Sequence, residues 1–191
     1  MTTTNNLLRY DTTTALTLII PEEFHEKINK IRKKYDGAFP RWMPHINFIF
    51  PFIEEEHFED TVTKLTEAFK TDNVKPFTLQ LNKVEYFAKT VKDRKTKRKT
   101  KMATFHLKTD DQSGLDQVFN TIKKTLPNVQ IKHPTFQAHM TLGQCEEKDF
   151  NSLRDELELD DLEFVVDKIY IIQRSKEDKS VPFKVVHKIC F

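Results

Sequence analysis

Residues 44–50 read Pro44-His45-Ile46-Asn47-Phe48-Ile49-Phe50, and residues 137–143 read Gln137-Ala138-His139-Met140-Thr141-Leu142-Gly143. Both carry the pattern His-x-(Asn/Thr)-hydrophobic. Alternation of polar and apolar residues over this length marks a half-buried strand, in which residues two apart share a face. This places Ile46, Phe48 and Phe50 on a core face of the first strand. Ala138, Met140 and Leu142 take the same place on the second. His45 with Asn47, and His139 with Thr141, occupy the opposite faces. Two strands of this kind predict one cleft with two imidazoles and two hydrogen-bonding side chains around a ligand.

Outward from these strands the pattern alternates between strand and helix. Ala15 to Ile20 is an apolar run of strand length. Pro21-Glu22-Glu23 makes a good first helical turn, with acids at the positive end of the helix dipole. Phe24, Ile28, Ile31 and Tyr35 then recur at helical spacing up to Gly37. Pro51 closes the first histidine strand, and Phe58, Val62, Leu65 and Phe69 mark a second helix. Phe77 to Phe87 and Met102 to Lys108 read as strands. Leu115, Val118, Phe119, Ile122 and Leu126 make a third helix, closed by Pro127. A short helix is expected over 148–157, and strands over 164–173 and 183–190 end the chain.

The order is therefore β-α-β(His45)-α-β, then β-α-β(His139)-α-β-β. Each histidine strand follows a strand–helix pair, a repeat of element order rather than of residue identity. It predicts an α+β, bilobal architecture: two similar halves related by approximate two-fold symmetry, with the two histidines in a groove between them. No Gly/Ser/Pro linker divides the halves, so residues 13–191 are read as one domain and the Thr/Asn-rich residues 1–12 as a flexible N-terminus. Of the three glycines, Gly143 follows Thr141 by two residues. It marks either a close approach of ligand or backbone, or a turn at the strand end.

The chain has 191 residues, 38% of them hydrophobic and 16 of them Phe, enough for a sizeable core. No apolar run approaches the ~18 residues that span a bilayer, and the N-terminus lacks the regions of a signal peptide. A cytoplasmic protein, and a monomer, is expected. Cys145 and Cys190 form neither a disulfide framework nor a zinc set, and they read as small apolar fillers. Cys145 as a nucleophile, six residues after His139, is the alternative. No His/Cys/carboxylate cluster has ligand spacing, so no metal and no cofactor is expected.

At the two histidine strands the sequence resembles the 2H phosphoesterase superfamily, also called the LigT-like or 2′-5′ RNA ligase-like family. The signature of that family is a His-x-(Thr/Ser)-x motif in each lobe. Here the motifs are His45-Ile46-Asn47-Phe48 and His139-Met140-Thr141-Leu142. Arg41-Trp42-Met43-Pro44 before the first motif, Phe136 before the second and Gly143-Gln144 after it add to the likeness. So do Ile169-Tyr170-Ile171-Ile172, Arg174 and Pro182-Phe183. The departure is Asn47, which stands where the family usually has Thr or Ser; an amide also donates to phosphate oxygens, but from a longer side chain.

The resemblance implies the LigT-like fold, two pseudo-symmetric lobes each with an antiparallel sheet and helices packed outside around a central cleft, and a metal-independent phosphodiesterase acting on RNA ends or oligonucleotides, at 2′,3′-cyclic phosphates or 2′-5′ linkages. His45 and His139 would divide the general base and general acid roles between them in an order set by the substrate's orientation, since an imidazole with a pKa of about 6.5 suits both tasks. Asn47 and Thr141 would donate to the phosphate. Arg41 and Arg174 are candidates to pair with phosphate and Trp42 to stack on a base. The alternatives are a non-catalytic nucleotide- or RNA-binding module in the same cleft, and a 2′-5′ RNA ligase. His106 shares strand parity with Thr104 and Lys108 and could also reach a cleft.

Residues 89–101 hold eight Lys/Arg against one Asp, a local charge of +7 in a chain whose net charge is +2, so the remainder carries −5. Within it Lys92, Arg94, Lys95, Lys97, Arg98 and Lys99 are candidates to bind RNA phosphates from a loop between two strands. A nuclear-localisation patch over 92–101, or simply a solvated loop, are the other readings. No aromatic residue is interleaved.

Overall fold

A computed structural model describes residues 8–92, 94–131, 135–157 and 159–191. In chain order the strands are β1 (Tyr10–Asp11), β2 (Thr14–Ile19), β3 (His45–Ile49), β4 (Phe52–Ile53), β5 (Phe77–Leu81), β6 (Lys83–Lys92), β7 (Lys99–Lys108), β8 (Met140–Glu146), β9 (Leu162–Val166), β10 (Lys168–Gln173) and β11 (Lys184–Cys190). The helices are α1 (His25–Tyr35) after β2, α2 (Phe58–Thr71) after β4, α3 (Ser113–Thr125) after β7 and α4 (Phe150–Glu156) after β8.

Two antiparallel sheets carry the two histidine motifs. The first has the order β11-β10-β2-β3, and the second β6-β7-β8. The first sheet buries Leu16, Leu18, Ile46, Phe48, Ile169 and Ile171, and the second Ala103, Phe105, Leu107, Met140 and Leu142, all in one continuous apolar core. The helices add their periodic residues to it: Leu65 and Phe69 from α2, Leu115, Val118 and Ile122 from α3. The opposite face of the first sheet carries His45, Asn47 and Thr17. A smaller apolar cluster of Ala15, Ile172 and Phe183, with Trp42 and Met43, covers part of that face.

Two expected long strands each break at a polar residue. Residues 77–87 divide at Asn82, and 164–173 divide at Asp167. The reason is that each half pairs elsewhere: β5 lies against β9, while β6 continues into the second sheet and β10 into the first. The β5–β9 ladder therefore joins the two sheets. The lobes are also not the two halves of the sequence, because β10 returns to pair with β2 and brings β11 with it. Residues 10 and 11, in the stretch read as flexible, pair with Ile53 and Phe52, and Leu8 N–H donates to the Asn128 carbonyl at 3.0 Å.

Three further details differ from the sequence reading. β3 ends at Ile49, which is buried, and Phe50 turns outward with 36% exposure, its ring edge-on to Trp42 at 5.0 Å. β8 begins at Met140, so His139 stands at the mouth of the strand rather than inside it. The basic run is mostly ladder rather than loop: β6 carries Lys89 and Lys92, β7 carries Lys99 and Lys101, and only Arg94, Lys95, Lys97 and Arg98 belong to the tip. Its threonines and Val91 suit a strand, so the hairpin runs outward further than its charge alone indicates.

Gly143 answers the question its position raises. A Cβ there would lie 2.5 Å from the Cβ of Tyr35 and 2.9 Å from both the Tyr35 carbonyl carbon and Cζ of Phe105. The glycine lets the last turn of α1 press onto β8. Gly143→Ala is expected to push α1 away, with overpacking costs of about 1–3 kcal/mol. Urea unfolding of the variant checks this; an unchanged midpoint would contradict it.

Candidate active site

His45 opens β3, opposite Ile19 of β2. Its Nδ1 lies 2.6 Å from the Met43 carbonyl. A carbonyl only accepts, so Nδ1 carries the proton, and Nε2 of the neutral ring keeps a lone pair. Asn47, on the same face, donates from Nδ2 to that nitrogen at 3.0 Å. The Trp42 indole stacks on the imidazole, with centroids 4.7 Å apart and planes 20° apart. Burial pushes the His45 pKa down to about 4, and the positive charges of Arg32 and His139 act in the same direction.

His139 repeats the local tether. Its Nδ1 donates to the carbonyl two residues back, that of Gln137, at 2.8 Å. Across the second sheet His106 faces Thr141 in the ladder, and its ring centroid lies 5.3 Å from that of His139. Phe87 of β6 stacks on His106 at 4.2 Å and 22°, and meets His139 edge to face at 5.0 Å and 87°. A parallel Phe87–His106 pair thus braces the His139 ring, as Trp42 braces His45. His106 is only 2% exposed. Burial, with lesser contributions from His139 and Lys108, pushes its pKa down to about 4. Sequence reading found the parity of His106 but had no signal for its contact with His139, which depends on the β7–β8 register.

A cavity of about 520 Å³ opens between the lobes. Asn47, Phe48 and Phe50 line it from the first, and Phe87, Phe136 and His139 from the second. Its size is that of a small-molecule site. His45 and Thr141 do not line it; the amide of Asn47 stands between His45 Nε2 and this space. Asn47 Oδ1 and Thr17 Oγ1, opposed across the β2–β3 ladder, are both buried without a hydrogen-bond partner among the described residues.

The other candidates divide. Trp42 is at the site, but its ring is engaged by His45 and by Phe183 at 4.0 Å, which leaves it as a wall rather than a base platform. Arg174 is a brace. It donates to the carbonyls of Lys179 at 3.1 Å and Thr12 at 3.4 Å, and its guanidinium covers Phe183 at 4.8 Å. Arg41 donates to the Gly37 carbonyl at 2.9 Å. Neither arginine lines the cavity. Cys145 lies opposite Ala103, on the face away from Thr104 and His106. Burial, then Asp149, raises its thiol pKa, which disfavours a thiolate and removes the nucleophile reading.

The segment leading to His45 is tied to β8. In α1, Arg32 donates from Nε and Nη2 to Asp36 Oδ2 at 3.0 and 2.8 Å, and both side chains are 2% exposed. Asp36 Oδ1 accepts from Ala38 N–H at 2.9 Å and from Gln144 Nε2 at 3.3 Å. Gly37 N–H in turn donates to Gln144 Oε1 at 3.1 Å. Gln144 stands three residues beyond Thr141, so this network fixes one histidine motif relative to the other.

The depressed histidines predict a pH dependence of stability. Above about pH 6.5 His45 and His106 are neutral both folded and unfolded. As pH falls from about 6.5 to about 4, the unfolded chain takes up protons first, so stability declines across that window. Urea midpoints between pH 7.5 and pH 4 should fall, and His106→Phe should flatten the slope.

The sequence profile of the 2′-5′ RNA ligase superfamily matches residues 20–178. A presumptive phosphoesterase of Staphylococcus epidermidis is 23% identical over 167 residues, covering 86% of this chain and 91% of that one. Among solved structures, LigT of E. coli in complex with 3′-AMP superposes with a TM-score of 0.57 at 14% identity, over 94% of this chain and 97% of that one. The TT0787 protein of Thermus thermophilus gives 0.55 at 15% identity, over 93% and 97%.

Proposed function

The chain belongs to the 2′-5′ RNA ligase superfamily, and on that premise we propose that it is a metal-independent phosphodiesterase acting on RNA ends or oligonucleotides. The observation that carries this is the pair of tethers. Each motif histidine donates Nδ1–H to the carbonyl two residues before it, which gives both rings the tautomer with Nε2 as the acid/base nitrogen, at His45 once the Asn47 amide moves off it. The nucleotide held by the E. coli neighbour supports a nucleotide in the corresponding cleft here.

For a 2′,3′-cyclic phosphate, one imidazole takes a proton from water as its oxygen bonds to phosphorus. The other gives a proton to O2′ or O3′ as that P–O bond breaks. His45, neutral with its lone pair on Nε2, suits the base role in this direction, and His139 the acid role. The phosphate's negative charge raises the His45 pKa from about 4 toward the working pH. Asn47 Nδ2 leaves Nε2 for a non-bridging oxygen, and Thr141 donates from the other lobe.

A second reading is favoured by Asn47 itself. Its amide occupies His45 Nε2 and screens it from the cavity, an arrangement that suits a module binding nucleotides without turning them over. Turnover of 2′,3′-cyclic nucleotides and of a cyclic-phosphate-ended RNA, with EDTA present, separates the two. EDTA-resistant product carrying a 2′- or 3′-phosphate is the expected result. Nucleotide binding without product, restored to turnover by Asn47→Thr, would establish the second reading instead.

A further inference from the structure

The β6–β7 hairpin is longer than the sheet it belongs to. Its ten pairs run without a bulge from Lys83↔Lys108 to Lys92↔Lys99, but β8 reaches only as far as Met102. Beyond that point the hairpin is a two-stranded arm with no third strand among the described residues. Its base lies in the active cleft, where Phe87 lines the cavity and stacks on His106. Its outer end carries the basic run, and Phe87 to Lys92 spans roughly 17 Å at the usual strand rise.

Among the described residues most of the charged groups on this arm lack an ion-pair partner. Lys101 pairs with Glu147 at 3.6 Å, but Lys89, Lys92, Arg94, Lys97, Arg98 and Lys99 form no ion pair among the described residues. Lys92 stands directly opposite Lys99 in the ladder, a like-charge pairing that destabilises a two-stranded segment. Such an arm is most favourable when a polyanion lies along it. Phe87 and Lys89 share one face of the strand, the face turned to the cleft. Tyr86 and Lys101 are on the other, toward Glu147 and Phe150.

We propose that this arm binds the sugar-phosphate backbone of a single-stranded RNA tail whose terminal phosphate sits between His45 and His139. The inference rests on the phosphodiesterase reading for the position of that terminus. It deepens that reading by assigning the site that holds the RNA beyond its reacting end. The contacts are to phosphates, so the arm adds affinity without sequence preference.

The test uses fluorescently labelled oligoribonucleotides ending in a 3′-phosphate, a dinucleotide and a decamer, titrated by anisotropy over a range of KCl. The proteins are wild type and the quadruple variant Lys89→Gln, Arg94→Gln, Lys97→Gln, Arg98→Gln, all at exposed positions. Wild type should bind the decamer at least tenfold more tightly than the dinucleotide. The variant should lose that difference, and its slope of log K against log [KCl] should be smaller by roughly 3, at about 0.7 per phosphate contact. Equal decamer affinity and equal slopes in the two proteins would overturn the arm, as would binding to anionic lipid vesicles but not to the decamer. Both ligands are uncleaved, so a failure of turnover in wild type counts against the phosphodiesterase reading alone.

Discussion

His45→Ala and His139→Ala are each expected to lower turnover of a cyclic-phosphate substrate by about 10²–10⁴-fold, the range for loss of one general acid or base. The two rings share one reaction, so the double variant should be little worse than the weaker single one. Nucleotide binding should weaken far less than kcat. The pH profile sharpens the assignment. With His45 as base, its loss should remove the acid-side limb of kcat/KM; with His139 as acid, its loss should remove the basic-side limb. Initial rates from pH 4 to 9 on wild type and both variants give the answer. Substantial activity in either single variant would sink the two-histidine mechanism, and exchanged limbs would reverse the roles.

Asp36→Ala should be the most damaging single change away from the histidines. It leaves the Arg32 guanidinium 2% exposed with its carboxylate gone, and removing one partner of a buried ion pair costs about 3–5 kcal/mol. It also frees Ala38 N–H and the Gln144 amide. The double variant Arg32→Met, Asp36→Leu leaves no buried charge and should recover part of the loss. Urea unfolding measures both. A cost below about 1 kcal/mol for Asp36→Ala would mean that the pair is solvated in practice. Part of the effect should appear in function as well, because this network holds the loop that delivers Trp42 and His45.

Much of this site was legible in two heptapeptides. Their polar and apolar alternation placed Ile46, Phe48, Met140 and Leu142 in the core and the motif residues opposite them, because period two is a local property of a strand. What failed to show were facts of pairing. Nothing in the residues around Asn82 or Asp167 announces a strand that changes sheets, since the partner of each half lies far along the chain. The contact of His106 with His139 has the same origin. Trp42 reads as a ligand contact from its position just before the first motif, and Arg174 from its place at the end of a strand. Their actual partners, Phe183 and the carbonyls of Thr12 and Lys179, come from segments that local pattern cannot join. Gln144 was visible as a neighbour of the second motif, but its bond to the end of α1 was not.

The place of β10 between β11 and β2 has a consequence for how the protein comes into being. β2 and β3 are made well before β10, and one edge of β2 stays open until residues 168–173 arrive. Ribosomes add about 5–20 residues per second, so that edge waits for seconds as an unpaired template. Closing the sheet joins segments some 150 residues apart, a step that loop-closure entropy makes late. His45 thus acquires its final surroundings only once β10 has closed the sheet and Phe183 has reached Trp42.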